Sequence, residues 1–326
     1  MKPSRYLFPE DYMADPAVHV FNGRFYIYPS HDRDSGADEN DNGDHFEMVD
    51  YHVLSTDDPM NGEIIDHGNV LDVEDIPWAT RQLWDCDVAE KDGKYYMYFP
   101  AKDLNDVFHI GVAIADNPAG PFIPLPDPIR GSYSIDPCVL KYQGEYYIYF
   151  GGLWGGQLQR YRNNKAIENP HEPAASEPAL PPRVARLSDD MQQFAEEPKE
   201  VIILDENGQP LTSGDNMRRF FEASWIHQHN GKFYFSWSTG DTHHLCYAIG
   251  NSPYGPFIYQ GVIMTPVVGW TTHHAIVEHN NHTYLFHHDC VPSGGKTWLR
   301  SLKVVELEYD ANDHIVTLNG GGTGNE

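Results

Sequence analysis

A single unit recurs five times along the chain, and it restricts the fold more than any other feature of the sequence. Each copy has a short apolar stretch, a turn and a second stretch rich in Tyr and Phe, which is the pattern of a β-hairpin. In four copies a glycine stands at the turn. The fifth has Asn281, which also tolerates the left-handed backbone that such turns need. The first polar residues of the five copies are Asp15, Asp85, Asp136, Glu222 and His273.

The full repeat is longer than a hairpin. A Pro-x-Gly-Pro-Phe motif follows a short apolar strand at residues 118–122 and again at residues 253–257, so one unit holds about four strands. Successive units start 51 to 86 residues apart, with almost no helical periodicity between them. Four-stranded units at this spacing predict a β-propeller. We therefore predict an all-β fold, a single five-bladed β-propeller domain over residues 1–318, and a flexible tail over residues 319–326.

Composition limits the classes of partner. The chain has 48 acidic and 22 basic residues and a net charge of −26, which disfavours nucleic acids and anionic membranes and suits a neutral or cationic ligand. No apolar run is long enough to span a membrane. The four cysteines lack zinc-like spacing and are interpreted as reduced core thiols. The N-terminus has no apolar signal segment, and these features together predict a cytoplasmic protein. They are also compatible with a homo-oligomer.

The recurring acids indicate a functional centre. In a propeller the first strand of each blade runs beside the central channel, so equivalent positions of the blades converge there. A single Asp-Pro step is often only a turn device, but four acids and a histidine in register are costly to bury without a function. Paired carboxylates are the groups used in glycoside hydrolysis, and a third carboxylate nearby can keep the acid protonated.

Four motifs resemble those of glycoside hydrolase family 43, the five-bladed propellers that act on xylans and arabinans. The resemblance covers roughly residues 6–318 and is carried by "ADPAV", "SIDPCV", "FFEASWI" and "TTHHAIVE". It implies that Asp15 is the general base, that Asp136 orients the acid and tunes its pKa, and that Glu222 is the general acid. It also implies that His273 faces a central divalent cation, usually Ca²⁺, which is held mostly by water.

The resemblance further implies an inverting reaction, in which base and acid stand about 6.5–9.5 Å apart with room for one water. The chain resembles short β-xylosidases that often also release α-L-arabinofuranose, and it is expected to lack the C-terminal β-sandwich of the longer ones. Closure of the pocket must then come from blade loops or another subunit. We expect an exo-acting β-xylosidase that releases xylose from the non-reducing end of β-1,4-xylo-oligosaccharides.

Three alternatives stay open at this point. The main activity could be that of an α-L-arabinofuranosidase, because the two sugars present similar hydroxyl groups. A non-catalytic carbohydrate-binding propeller is the alternative from another class. A retaining enzyme of the invertase type would need its nucleophile about 5–5.5 Å from the acid.

Four further residues are predicted to contact the substrate. Trp84 precedes the acid of the second blade, and Trp154 lies in a glycine-rich loop after the third hairpin; sugar rings stack on such aromatic faces. Arg300 resembles a position at which the family holds a sugar hydroxyl group. His31 ends the first hairpin close to the predicted mouth of the channel.

The second blade departs from the family pattern. It reads "LWDCD" where the family has "LWAPD", so Asp85 replaces a small residue and is predicted to alter the pocket or the surroundings of the metal. The register leaves open whether Asp85 or Asp87 faces the channel. The acidic segment at residues 38–44 begins like a calcium-binding loop, but Val49 stands where a glutamate ligand is required, so we interpret it as an insertion.

Overall fold

The computed structural model describes residues 2–322, and they form five blades around a central channel, each built on four antiparallel strands. The first strand of the chain, β1 (Ser4–Tyr6), belongs to the last blade. Blade 1 consists of β2 (Met13–Phe21), β3 (Arg24–His31), β4 (Asp50–Thr56) and β5 (Ile65–Asp72). Blade 2 consists of β6 (Asp87–Lys91), β7 (Lys94–Lys102), β8 (Phe108–Ala115) and β9 (Ile123–Pro124).

The third and fourth blades carry the longer insertions. Blade 3 comprises β10 (Cys138–Tyr142), β11 (Glu145–Phe150), β14 (Arg183–Arg186) and β15 (Lys199–Glu200). A separate small hairpin lies between its strands, made of β12 (Tyr161–Arg162) and β13 (Lys165–Ala166). Blade 4 comprises β17 (Glu222–His229), β18 (Lys232–Ser238), β19 (Leu245–Gly250) and β20 (Phe257–Met264), extended in parallel by β16 (Ile203–Leu204). Short 3-10 helices occur at Val73–Asp75, Trp154–Gly156 and Leu158–Arg160.

The last blade joins the two ends of the described chain. It consists of β21 (His274–His279), β22 (His282–Asp289), β23 (Ser301–Leu307) and β1. Because β1 pairs antiparallel with β23, with Ser4 opposite Val305, the ring of blades is closed by hydrogen bonds between distant parts of the chain. The predicted five-bladed propeller is confirmed.

The predicted turns are also present. In every blade the two residues at the tip of the first hairpin have φ between 47° and 84°, the geometry of a type I′ turn. Asn281, with φ 64°, takes this conformation where the other copies have glycine. The turn type matches the right-handed twist of the two strands, which explains why Asn-Gly, Asp-Gly and similar pairs recur at these positions.

Buried aromatic residues link neighbouring blades. Tyr28, Tyr98 and Tyr149 occupy the same position in the second strands of blades 1, 2 and 3, and all three are fully buried. Each hydroxyl donates to a backbone carbonyl in the next blade, those of Pro118, Met191 and Pro253. Two of the three acceptors belong to the recurring Pro-x-Gly-Pro-Phe motif. This motif therefore satisfies the polar tip of an aromatic side chain that packs between two sheets.

The cysteines, the C-terminal segment and the lack of a membrane-spanning run were also predicted from the sequence. All four cysteines are buried and free, as predicted. Residues 319–322 are attached to blade 4, since the amide of Gly322 donates to the carbonyl of Pro266 at 2.8 Å. The rest of the predicted tail, residues 323–326, lies outside the described residues. Among the described residues, no helix has the length and apolar character needed to cross a membrane.

Candidate active site

A cavity of about 240 Å³ opens at the centre of the propeller. The five equivalent polar residues of the repeat all line it: Asp15, Asp85, Asp136, Glu222 and His273. Four of them are buried, and Glu222 is half-buried. The register of the repeat therefore does bring one side chain from each blade to a common space.

Unusual backbone conformations aim the acids into this cavity. Asp15 and Asp136 have φ values of 48° and 56°, and Ala223, next to Glu222, has φ 65°. Bulges interrupt the strand pairing after Ala14 and after Glu222. A bulge breaks the alternation of a strand, so a side chain at its end can turn towards the channel. Non-glycine residues in this region cost about 1–3 kcal/mol each, and such strain is typical of functional sites.

The surroundings of Asp15 favour its ionised form. Its Oδ1 accepts a hydrogen bond from Nη1 of Arg300 at 2.8 Å, and its Oδ2 accepts one from the hydroxyl of Ser30 at 2.6 Å. Its backbone N–H donates to Nδ1 of His288 at 3.1 Å, which holds the left-handed conformation. Burial is the largest single influence on Asp15 and raises its pKa. The positive charge of Arg300, together with smaller contributions from His288, His273 and the Ser30 hydroxyl, outweighs burial and lowers the pKa to about 2. Asp15 is thus a carboxylate at neutral pH.

The surroundings of Glu222 and Asp136 favour the opposite state. Burial raises the pKa of Glu222 well above its usual range, and the negative charges of Asp136 and Asp15 raise it further. Burial likewise raises the pKa of Asp136, with a smaller opposing effect of His273. The Asp136 side chain is fixed because its Oδ2 accepts the N–H of Ala223 at 2.7 Å. This pair therefore retains a proton under conditions in which Asp15 has lost its own.

The structure decides between the two acids of blade 2. Asp85 lines the cavity, and its Oδ2 lies 3.1 Å from Nε2 of His273. Asp87 is buried beneath the cavity, where it contacts Nε2 of His19 and accepts the backbone N–H of Val139, both at 2.6 Å. Asp85 is therefore the residue that faces the channel, while Asp87 ties together the first strands of blades 1, 2 and 3.

Three of the lining residues form a candidate metal site. Donor atoms of Asp85, Asp136 and His273 lie within 4.8 Å of one another. Oδ1 of Asp85 and Nε2 of His273 are buried without a hydrogen-bond partner among the described residues. Two carboxylates and unpartnered polar atoms fit a hard cation that keeps part of its water. Nδ1 of His273 accepts the N–H of His274 at 2.9 Å, so direct ligation through Nε2 would require a change of ring tautomer.

The predicted aromatic residues line the cavity as well. Nε1 of Trp84 donates to the carbonyl of Phe46 at 2.8 Å, and its ring packs on Phe108 with centroids 4.8 Å apart. Trp154 packs against Phe221, and its Nε1 donates to Glu172 at 3.0 Å. Both indoles are held by their N–H groups, so each presents a fixed apolar surface to a bound sugar.

The other two residues predicted to contact the substrate, Arg300 and His31, lie in different surroundings. Arg300 does line the cavity, but its guanidinium is bound to Asp15 and Asp32, so its main partners are carboxylates of the protein. His31 does not line the cavity. Its ring nitrogens face Asp50 at 2.9 Å and Asp11 at 3.1 Å, and neither of these acids lines the cavity. Successive side chains of a β-strand point to opposite faces of the sheet. The position of His31 at the end of its strand therefore did not show which face its side chain is on.

One wall of the cavity has no counterpart among the residues predicted from sequence. It is formed by the acidic insertion between β3 and β4, here called the acidic loop (residues 32–49). The residues of this loop that line the cavity are Glu39, Asn40, Asp41, Gly43, His45, Phe46 and Met48. The available signal was its position, since the loop follows the hairpin whose open end stands at the channel mouth. Thr271, Thr272, Thr297 and Trp270 also line the cavity and carry no distinctive sequence signal.

Comparison with known proteins agrees with this geometry. A sequence model of the glycosyl hydrolases family 43 matches residues 66–315. A xylosidase/arabinosidase of Bacteroides ovatus is 72% identical over 317 residues, which is 97% of this chain and 98% of that protein.

Solved structures are similar over the same extent. The structure of RS223-β-xylosidase has a TM-score of 0.96 and 67% identity, covering 98% of this chain and 100% of the other. CoXyl43, a β-xylosidase/α-arabinofuranosidase from a compost microbial metagenome, was solved with xylotriose in a calcium-free form. It has a TM-score of 0.96 and 55% identity, covering 99% of each chain. With the family model matching most of the chain and relatives of this identity, the chain belongs to glycoside hydrolase family 43.

Proposed function

We propose that this glycoside hydrolase is an inverting, exo-acting β-xylosidase that releases xylose from the non-reducing end of β-1,4-xylo-oligosaccharides, with α-L-arabinofuranosidase side activity. The observation that carries the mechanism is the opposite ionisation of the acids around one cavity. Asp15 is held as a carboxylate by Arg300, and Glu222 is held protonated by burial and by Asp136. A base and an acid of this kind are what inversion requires.

Each of the three acids has a defined part in this reaction. A water molecule between the sugar and Asp15 gives its proton to that carboxylate while its oxygen attacks the anomeric carbon. Glu222 gives its proton to the departing glycosidic oxygen. Asp136, fixed by the N–H of Ala223, stays beside Glu222 and keeps the pKa of the acid high by its charge. The hydrolysed product therefore has the opposite anomeric configuration.

The choice of sugar follows from the relatives and the form of the cavity. Both solved structures described above are of β-xylosidases, and one of them binds xylotriose. Trp84, Trp154 and the acidic loop surround the cavity, which supports a pocket that takes one terminal sugar. Arabinofuranose presents similar hydroxyl groups, and a relative at 72% identity is named for both activities.

We further propose that a divalent cation, most simply Ca²⁺, binds beside the acids. Asp85 and Asp136 would hold it, with His273 next to it. When bound, it supplies a positive charge that offsets the repulsion among the converging carboxylates. The orphaned Oδ1 of Asp85 is the observation that supports the site.

The four buried thiols support a further proposal, that the enzyme works in the cytoplasm, which fractionation of the source cells would test.

One set of measurements tests the function. The enzyme is assayed on nitrophenyl β-xyloside, nitrophenyl α-arabinofuranoside and xylobiose, each with and without a chelator, and the first anomer released from xylobiose is identified by proton NMR. We expect faster turnover of the xyloside, α-xylose as the first product, and a loss of activity on chelation that Ca²⁺ restores. First release of β-xylose would indicate retention. Preference for the arabinofuranoside would reverse the order of the activities. Turnover of xylobiose that Glu222→Gln leaves unchanged would show that this cavity is not catalytic, and would favour a carbohydrate-binding propeller.

A further inference from the structure

Asp32 is a buried carboxylate that the mechanism above does not use. It lies directly after β3, and its side chain is fully buried. It accepts three hydrogen bonds from a single residue, Arg300. These come from the backbone N–H at 2.8 Å, from Nε at 2.9 Å and from Nη2 at 2.7 Å. Two of them form a bidentate pair with the guanidinium.

This bidentate pair determines what the rest of the guanidinium can reach. The group is planar and rigid, so holding Nε and Nη2 on one side fixes the direction of Nη1 on the other. Nη1 donates to Oδ1 of Asp15 at 2.8 Å and to the hydroxyl of Thr271 at 3.2 Å. The guanidinium also lies over the ring of Phe46, 4.9 Å from its centroid. Asp15, Arg300 and Asp32 thus form a buried row of negative, positive and negative charge.

We propose that Asp32 is a positioning residue for the general base: it orients Arg300 so that Nη1 meets Asp15 and holds that carboxylate in line for the attacking water. This inference rests on the proposed function of Asp15. It gives Arg300 a part in addition to the sugar contact expected from the family resemblance. Asp32 touches neither substrate nor the reacting atoms in this arrangement and acts only through Arg300.

A purely structural role is the competing explanation. Asp32 belongs to blade 1, and Arg300 immediately precedes β23 in blade 5, so their pairing also helps to close the ring. If closure were the whole function, loss of Asp32 would reduce stability without altering the chemistry of the folded enzyme. A matched buried pair in blade 5 provides the control. Asp289 accepts from Lys303 at 3.0 Å and from Tyr6 at 2.9 Å.

The variants Asp32→Asn and Asp289→Asn therefore make the same chemical change in the buried aspartates of two ion pairs; the partner of Asp289, Lys303, is half-buried. Asparagine offers one acceptor and one NH₂ group, so it cannot receive both arms of the guanidinium. We expect Arg300 to turn away from Asp15 in Asp32→Asn. The loss in kcat per folded enzyme should be on the order of 10–100-fold, as for a small misplacement of a catalytic group. Asp289→Asn should lose stability but keep kcat.

The sign of the change in pH dependence separates the explanations. Arg300, His288, His273 and Ser30 lower the pKa of Asp15. The carboxylates that interact with it are those of Glu222, Asp136, Asp85 and Asp32. If Arg300 leaves, the largest effect that offsets burial is lost, the pKa of Asp15 rises, and the acidic limb of kcat/KM moves to higher pH by at least about one unit. If Arg300 stays and only a negative charge is lost, the same limb stays or moves to lower pH. A merely structural role leaves the limb where it is.

Two additional measurements test the role of Asp32 independently of the activity of the wild-type enzyme. Carboxyl ¹³C NMR on aspartate-labelled enzyme follows the titration of Asp15, assigned with Asp15→Asn, without requiring turnover. The proposal is therefore decided separately from the activity of the wild type. Arg300→Lys keeps the charge but cannot bridge both carboxylates, so it should raise the pKa of Asp15 as Asp32→Asn does. An unchanged or lowered pKa of Asp15 in both variants would overturn the proposal.

Discussion

Gly43→Ala is predicted to damage the pocket wall without touching any acid. Gly43 has φ 71°, and a Cβ added to it would stand 2.7 Å from Cη2 and 2.9 Å from Cζ2 of Trp84. Ordinary contact begins at 3.4 Å, so the shortfall is about 0.7 Å. Trp84 cannot retreat freely, because Nε1 is bonded to Phe46 and its ring packs on Phe108 with centroids 4.8 Å apart.

The expected cost has two parts. A non-glycine residue in the left-handed region costs about 1–2 kcal/mol, and overpacking of this kind adds about 1–3 kcal/mol. The acidic loop can relieve the overpacking by moving away from Trp84, which disrupts the wall of the cavity. We therefore expect the loss mainly in the free energy of substrate binding. A loss of about 1.4 kcal/mol in binding would raise KM for nitrophenyl xyloside about tenfold, with a smaller change in kcat.

Gly36→Ala is the matched control, since Gly36 lies in the same acidic loop with φ 74°, and a Cβ added there would have no atom within 4 Å. It should show the backbone cost alone, a small decrease in melting temperature with unchanged KM. Steady-state kinetics, thermal melts and the tryptophan fluorescence of both variants provide the comparison. Equal KM values for Gly43→Ala and Gly36→Ala would refute the claim that this loop and Trp84 form the wall of the sugar site.

Three other predictions follow from the same structure. Glu222→Gln should lower kcat on xylobiose by about 10²–10⁴-fold but spare aryl xylosides with good leaving groups, whereas Asp15→Asn should lower both; equal losses on the two substrates would contradict these roles. His31, whose pKa the hydrogen bond to Asp50 raises to about 9, stabilises the fold fully below about pH 6.5 and loses this contribution as the pH rises through 9. His31→Asn should therefore cost on the order of 1–3 kcal/mol in urea unfolding at pH 6 and much less at pH 10. Tyr28→Phe should cost about 1–3 kcal/mol, because the buried carbonyl of the neighbouring blade loses its donor; an unchanged urea midpoint would argue against this link between blades.

Much of the centre of the molecule could be predicted because the chain repeats. Residues at one position of a repeat occupy equivalent places in equivalent blades, so the convergence of Asp15, Asp136 and Glu222 could be predicted from their register alone. The turn residues were equally informative, since Asn281 and the glycines tolerate the left-handed backbone that a type I′ turn of a twisted two-residue hairpin requires.

Other features depended on contacts between distant segments. The choice between Asp85 and Asp87 turned on which of them faces His273, and a two-residue spacing before a strand does not decide it. Arg300 and Asp32 are 268 positions apart, and nothing local to either residue indicates their bidentate pairing.

The sequence by itself determined the propeller, the number of blades and the identity of the converging acids, because periodic patterns and turn chemistry are local properties. Only the tertiary structure decided the ionisation of those acids, the absence of His31 from the cavity lining and the use of the acidic loop as a wall. These depend on burial and on charges carried by other blades, and such surroundings exist only once the ring has closed.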